Sequence, residues 1–308
     1  MQFSPQNKVP GRLKIFLLTD MEGVCGVVDF QDYCCKDGIF RDLGRKLLTE
    51  EVNAAVSGFF TGGATEIVVF DGHGGGGWIA PDLLDERAKL HCGSSDCPWD
   101  ELFDDYDALA FVGQHPKAGT PYGHFSHTQT GECIDFRVNG LSIGEFGQFA
   151  LVAMQHQVPV IFASGCEALA KEAKELISGI VTVGVKRGTC PAPSPTSKAF
   201  THGMGLAQAG ATHLSPAVAR SLIKLGACQA AKRVSTPGKL YSCRDLLAPY
   251  SCEAEYRDSS EKITQMFGRF IPARSIRTAE FERLGDAFEE FYRLEWLDPA
   301  ETKTKAKS

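Results

Sequence analysis

The 308-residue chain is 43% hydrophobic and carries a formal charge of −6. That is enough apolar content to bury one large core or a large and a smaller one, and the dispersed acidity excludes a nucleic-acid face. Eleven cysteines, an odd number with no Cys-x-x-Cys pair, argue against a disulfide framework or a finger-type zinc and read as buried thiols of a reducing compartment.

Residues 1–12 are polar and read as a flexible N-terminal segment without the apolar core of a signal peptide; no later run is long enough for a membrane span, so cytoplasm is the expectation. The first strand, Leu13 to Leu18, opens into Thr19-Asp20-Met21-Glu22-Gly23. Arg41 to Phe60 has helical spacing through Leu43, Leu47, Val52, Val56 and Phe59, with Thr49-Glu50-Glu51 on the solvated face. Glu66 to Phe70 is the next strand and opens into Asp71-Gly72-His73; the β-α-β unit predicts two parallel strands with a right-handed crossover. The stretch from His73 to Asp105 is turn-rich, with a short helix expected near Leu83 to Leu90. A third strand, Asp107 to Val112, opens into Gly113-Gln114-His115 and a Gly/Pro/Thr loop reaching His127.

Cys133 to Ile143 alternates about Asn139-Gly140 and predicts a hairpin. A helix from Glu145 to His156, a strand Val158 to Ala163, a helix Glu167 to Ile177 and a strand Ile180 to Val185 continue the alternation. The expected fold class is α/β: a doubly wound, mainly parallel sheet forms a metal-binding domain over 13–187, with a smaller C-terminal α+β domain. Prolines 191, 193 and 195 mark 188–213 as a linker or surface loop. The smaller domain, 214–297, takes a helix Pro216 to Lys232, a strand Tyr250 to Tyr256, a helix Ser260 to Phe267, a strand Phe270 to Ile276 and a helix Phe281 to Trp296. Residues 298–308, with Lys303 to Lys307, form a flexible, solvated tail.

Three strands thus end in metal-binding residue types, and in an open α/β sheet such ends meet in one crevice. Asp20 and Glu22 point to one side of an extended backbone and repel unless protons or cations lie between them. A lone Asp-x-Glu more often caps a turn, and a lone loop histidine is more often ordinary polar surface; Asp20, Glu22, His73, His115 and Glu145 are weighed together. The glycines from Gly72 to Gly77 lack the Gly-Lys-Ser/Thr of a phosphate loop. Oxygen and imidazole donors without thiolates describe a catalytic metal, zinc most commonly, with manganese or cobalt as alternatives. Three carboxylates and two imidazoles exceed one tetrahedral ion, so two metals sharing a carboxylate and activating a bridging hydroxide for hydrolysis are expected.

The segments Leu18-Thr19-Asp20-Met21-Glu22-Gly23, Asp71-Gly72-His73, Gly113-Gln114-His115, Ser126-His127 and Val138-Asn139-Gly140 through Gly144-Glu145 resemble the DppA-type D-aminopeptidases, peptidase family M55. Thr49-Glu50-Glu51, Ala170-Lys171-Glu172-Ala173, Val185-Lys186 and Leu214-Ser215-Pro216-Ala217 extend the resemblance along most of the chain. It implies two zinc ions per subunit, with Asp20 bridging, Glu22 and His115 on one ion, His73 and Glu145 on the other, and His127 as the catalytic histidine. It also implies a two-domain α/β fold, removal of N-terminal D-residues from short peptides, and homo-oligomeric rings, decameric by that resemblance. Asp71 is placed as a partner orienting His73, and Lys186 as a strand-end residue paired with a carboxylate. The chain departs from the family pattern at Gly165-Cys166-Glu167-Ala168 and in its expanded loop from Arg187 to His213. The alternatives are a two-metal phosphoesterase or other amidohydrolase, and a non-catalytic ring-forming binding protein of the same fold.

Overall fold

The computed structural model describes residues 2–3, 11–92, 101–131, 133–189, 210–236, 241–257 and 274–289. Along the chain run β1 (Gln2–Phe3), β2 (Lys14–Thr19), α1 (Phe30–Cys34), α2 (Arg41–Thr61), β3 (Glu66–Asp71), β4 (Lys89–His91) and β5 (Ala108–Gln114). There follow β6 (Cys133–Val138), β7 (Leu141–Ser142), α3 (Glu145–Gln155), β8 (Val160–Cys166), α4 (Glu167–Leu176), β9 (Ile177–Ser178) and β10 (Val181–Gly188). The rest is β11 (Ala211–His213), α5 (Pro216–Val234), β12 (Tyr241–Cys243), β13 (Tyr250–Arg257) and β14 (Arg274–Phe281).

Seven strands form the main sheet in the order β11-β10-β8-β5-β2-β3-β4, parallel except at the β11 edge. The inner strands β5 and β8 are buried along their whole length, as continuous apolar runs covered on both faces must be. From β2 the chain steps to β3 on one side; from β5 it steps to β8 and then β10 on the other. With right-handed crossovers, these opposite steps put α2 on one face and α3 and α4 on the other. α5 packs along α2, and it comes close because Gly58 has no side chain: a Cβ there would lie 2.3 Å from the Lys224 carbonyl oxygen. The order reverses between β2 and β5, and that switch point is where the crevice opens.

Several expectations change. Thr49 and Glu51, read as solvated, are buried, because α2 is covered by α5 and also by the loops at 24–27 and 78–80. Thr49 donates to the Arg45 carbonyl and accepts from the Ala80 N–H; Glu51 accepts from the Cys25 N–H. Glu50 alone of the three keeps a surface ion pair, with Arg220. The helix expected near Leu83 to Leu90 is a run of turns leading into β4. Asn53 on α2 explains it: its side chain donates to the Leu83 carbonyl, which a helix would use internally, and accepts from the Asp85 N–H, tying the segment down as turns.

The hairpin at Asn139-Gly140 is present, with both residues in the left-handed region (φ 48° and 74°), as a type I′ turn requires. Its strands do not stay within the expected first domain. β6 pairs with β13, and the four-stranded antiparallel sheet β14-β13-β6-β7 joins the middle of the chain to its C-terminal part. β11, at the end of the expected linker, extends the main sheet, and α5 belongs to that sheet's helical layer. Gln2 and Phe3, in the expected flexible start, pair with β12. The expected helix 260–267, the start of the strand expected from 270 and the tail 298–308 lie outside the described residues; β14 runs on to Phe281, and helix follows only at 284–289. Among the described residues no cysteine is in a disulfide; Cys97 and Cys190 lie outside them. Among the described residues no helix is long and apolar enough to cross a membrane.

Candidate metal centre

All six sequence-derived candidates meet at the switch point. Asp20 and Glu22 follow β2, His73 stands in a short 3-10 turn after β3, His115 follows β5, His127 lies in the next loop and Glu145 opens α3. The β2 and β5 ends are locked together by Asp20 N–H to Val112 O (2.9 Å) and Gly23 N–H to Gly113 O (2.6 Å). Gly113 makes this possible: its φ is 79°, and a Cβ would sit 2.0 Å from the Asp20 carbonyl oxygen.

The two oxygens of Asp20 face different imidazoles. Oδ1 accepts the Met21 N–H and lies 2.9 Å from His73 Nδ1; Oδ2 accepts from Gln114 Nε2 and lies 3.2 Å from His115 Nε2. Glu22 Oε2 is 3.1 Å from His73 Nδ1, and Glu145 Oε1 is 3.4 Å from His115 Nε2. His127 Nε2 stands 3.7 Å from Glu145 and 4.0 Å from Glu22, its ring stacked on His115 with centroids 3.7 Å apart. The structure therefore groups Asp20, Glu22 and His73 on one side and His115, His127 and Glu145 on the other. The resemblance pairs Glu22 with His115 and His73 with Glu145; in the structure Glu22 turns to His73 because β3 delivers that ring on the Glu22 side.

Each histidine has one nitrogen committed to a backbone carbonyl. His73 Nε2 donates to Cys34 O (2.9 Å), His115 Nδ1 to Pro116 O (3.0 Å) and His127 Nδ1 to Phe125 O (2.8 Å). In its neutral form each ring so fixed would turn a lone pair toward carboxylate oxygens, and lone pairs facing lone pairs repel unless a proton or a metal cation lies between them. Glu22 Oε2 and His115 Nε2 are buried and make no hydrogen bond in spite of these short distances. Hard oxygen and imidazole donors, orphaned and convergent, fit one or two divalent ions.

The electrostatics agree. Burial, reinforced by the Glu22 charge, pushes Asp20 up to about 7. Burial opposes a charge on His115, yet Glu145 and Asp20 outweigh it and hold the ring at about 10. Burial would raise Glu145, but His115 draws it down to about 2. Without a metal the carboxylates therefore hold protons on His115 and His73, the positive charge that a divalent ion would replace. His127 differs: burial and the neighbouring His115 lower it, so it stays neutral.

Asp71 makes no hydrogen bond to His73. Its Oδ2 accepts three N–H groups, from Gly77, Trp78 and Ile79, and so shapes the glycine-rich loop; Trp78 then packs edge-on against the His73 ring. Lys186 is buried and donates to the Val27 carbonyl at 3.1 Å, with its ammonium over the Phe125 ring, rather than meeting a carboxylate. Burial lowers it to about 8. Gln114 and the Cys34 carbonyl went unassigned in the sequence. Gln114 stood inside a recognised segment, whereas a backbone carbonyl that orients a ring leaves no trace in residue type.

Glu51, on α2 behind this crevice, offers a test of the buried charges. Its Oε1 takes the Cys25 N–H, its Oε2 has no partner, and burial raises it from 4.5 to about 7. With the folded pKa above the unfolded one, its contribution to stability is complete below pH 4.5 and is lost as pH rises through 7. Glu51→Gln keeps an acceptor and removes the titration. Its stability relative to wild type should gain about 3 kcal/mol between acid and mildly alkaline pH, read by urea unfolding at both; a pH-independent difference would show that Glu51 ionises freely.

An open α/β sheet with carboxylates and imidazoles gathered at its switch point defines a metal-binding protein of the catalytic kind. The chain belongs to the D-aminopeptidase family, peptidase M55, whose profile matches residues 13–293. It is 33% identical over 180 residues to the D-aminopeptidase of Bacillus subtilis (strain 168), a match covering 57% of this chain and 64% of that protein. The chain thus matches just under two thirds of that relative's length. The solved structure of the zinc-dependent D-aminopeptidase DppA from Bacillus subtilis, described as a self-compartmentalizing protease, superposes with a TM-score of 0.75. That superposition covers 92% of this chain and 97% of the other at 24% identity, a likeness of fold.

Proposed function

We propose that this chain is a zinc-dependent aminopeptidase with two metal ions, removing N-terminal D-residues from short peptides. The observation that carries the reading is the convergence of three imidazoles, each with its other nitrogen held by a backbone carbonyl, on three carboxylates. Membership of the D-aminopeptidase family supports the reaction class, and the zinc dependence of the fold neighbour supports the metal. Asp20 would bridge, with Glu22 and His73 completing one position and His115 and Glu145 the other. Zinc bound there supplies Lewis acidity, polarising a peptide carbonyl and acidifying water.

His127 supplies proton transfer. Its Nδ1–H is held by the Phe125 carbonyl and its Nε2 is an unprotonated base facing the centre. Such a nitrogen cannot donate to an oxyanion at the outset; it can take a proton from attacking water and hand it to the leaving amine. Assembly of copies is supported by the self-compartmentalizing fold neighbour and by Val218, Leu222 and Leu225, which are exposed along one side of α5.

Zinc-loaded protein should release p-nitroaniline from D-alanine p-nitroanilide well above the rate from the L-isomer, and should leave p-nitrophenyl phosphate intact. Turnover of the phosphate ester alone would favour a two-metal phosphoesterase. No turnover of any of the three by protein carrying two zinc ions would favour a non-catalytic role.

A further inference from the structure

Glu172 stands on α4, outside the ligand set, yet it reaches both segments that present the His115 half of the centre. Its Oε2 accepts the N–H of Lys117, two residues after His115, at 3.0 Å. The N–H of Gly144, immediately before Glu145, also points to this carboxylate. Gly144 is the N-cap of α3, and the third helical residue, Gly147, has no side chain to reach back to it, so the Gly144 N–H needs an acceptor from elsewhere.

The two segments touch at the same place: a Cβ on Gly144 would lie 2.6 Å from Lys117 Cβ. The Lys117 ammonium closes the other side, donating to the Ser142 carbonyl (3.1 Å) and hydroxyl (2.7 Å). Nothing comparable reaches from α4 to Asp20, Glu22 or His73 among the described contacts. We infer that Glu172 is a positioning residue that sets the spacing of His115 and Glu145, and through it the metal affinity of that half. The inference rests on the metal-centre reading above.

The test uses the full chain with Glu172→Gln, which keeps the shape and removes the charge, Glu172→Asp, which restores the charge on a shorter arm, and Lys171→Ala as an exposed neighbour on the same helix. In metal-free Glu172→Gln, amide exchange should speed up in the segments around 113–120 and 141–148 and stay at wild-type rates elsewhere. Zinc titration should show affinity reduced roughly 10- to 100-fold, the usual size for a residue that orients ligands, with partial recovery in Glu172→Asp and none of these effects in Lys171→Ala. Wild-type exchange in both segments, unchanged zinc affinity, or faster exchange spread over the whole chain would overturn it, the last marking a purely structural role. The number of zinc ions taken by the wild-type chain tests the two-metal reading separately, since the exchange measurement needs no metal.

Discussion

Asp20→Ala should leave the chain unable to hold either metal ion, so that elemental analysis after zinc loading and dialysis finds close to none. The two oxygens of Asp20 face different imidazoles, so truncation takes a donor from both positions at once. It also removes the anion that screens two dications from each other, whose repulsion at this range is large in a buried site. The metal-free protein should tolerate the change, since Asp20 is a carboxylate that burial and Glu22 hold at about 7, and deleting it relieves that repulsion. The signature is therefore a preserved melting temperature without zinc and loss of the zinc-induced stabilisation, about 2.7 kcal/mol for each site at a hundredfold excess over Kd. Full occupancy in the variant would remove the bridging role.

His127→Ala should keep its zinc and nearly normal KM while kcat falls about 10²-fold or more, the usual size of a lost acid-base partner. The rival is His124, three residues earlier in the same loop. Burial, with Lys186 nearby, lowers His124 to about 2, far too weak a base for neutral pH. Its ring packs on Phe125 and edge-on against His213, not on His115. His124→Ala should accordingly be mild in kcat. Loss of zinc from His127→Ala would instead make His127 a ligand, a role its place beside His115 and Glu145 permits.

The strand ends were legible because an open parallel sheet converts three local patterns, Asp20-x-Glu22, His73 and His115, into one location. The hairpin was legible because Asn139-Gly140 tolerates left-handed backbone. What escaped depends on distant partners. Thr49 and Glu51 look like a polar face until the 24–27 and 78–80 loops are laid over α2. The 83–90 segment has helical composition, but Asn53, thirty residues earlier, claims its backbone groups. The grouping of ligands followed from which way β3 delivers His73, and spacing carries no record of that. The division at 188–213 looked like a boundary from its prolines, whereas the pairing of β6 with β13 crosses it.

That pairing bears on how the protein is made. At about 5–20 residues per second, Cys252 leaves the ribosome roughly 6 to 23 s after its strand partner Val138. In the interval the nascent chain already contains every proposed ligand from Asp20 to Glu145, but β6, whose hairpin leads directly into Glu145, has an unpaired edge. Until β13 arrives, that edge is open to pairing with another chain. Emergence of β13, rather than of the last proposed ligand, would then set the moment at which β6 is paired and the proposed centre complete.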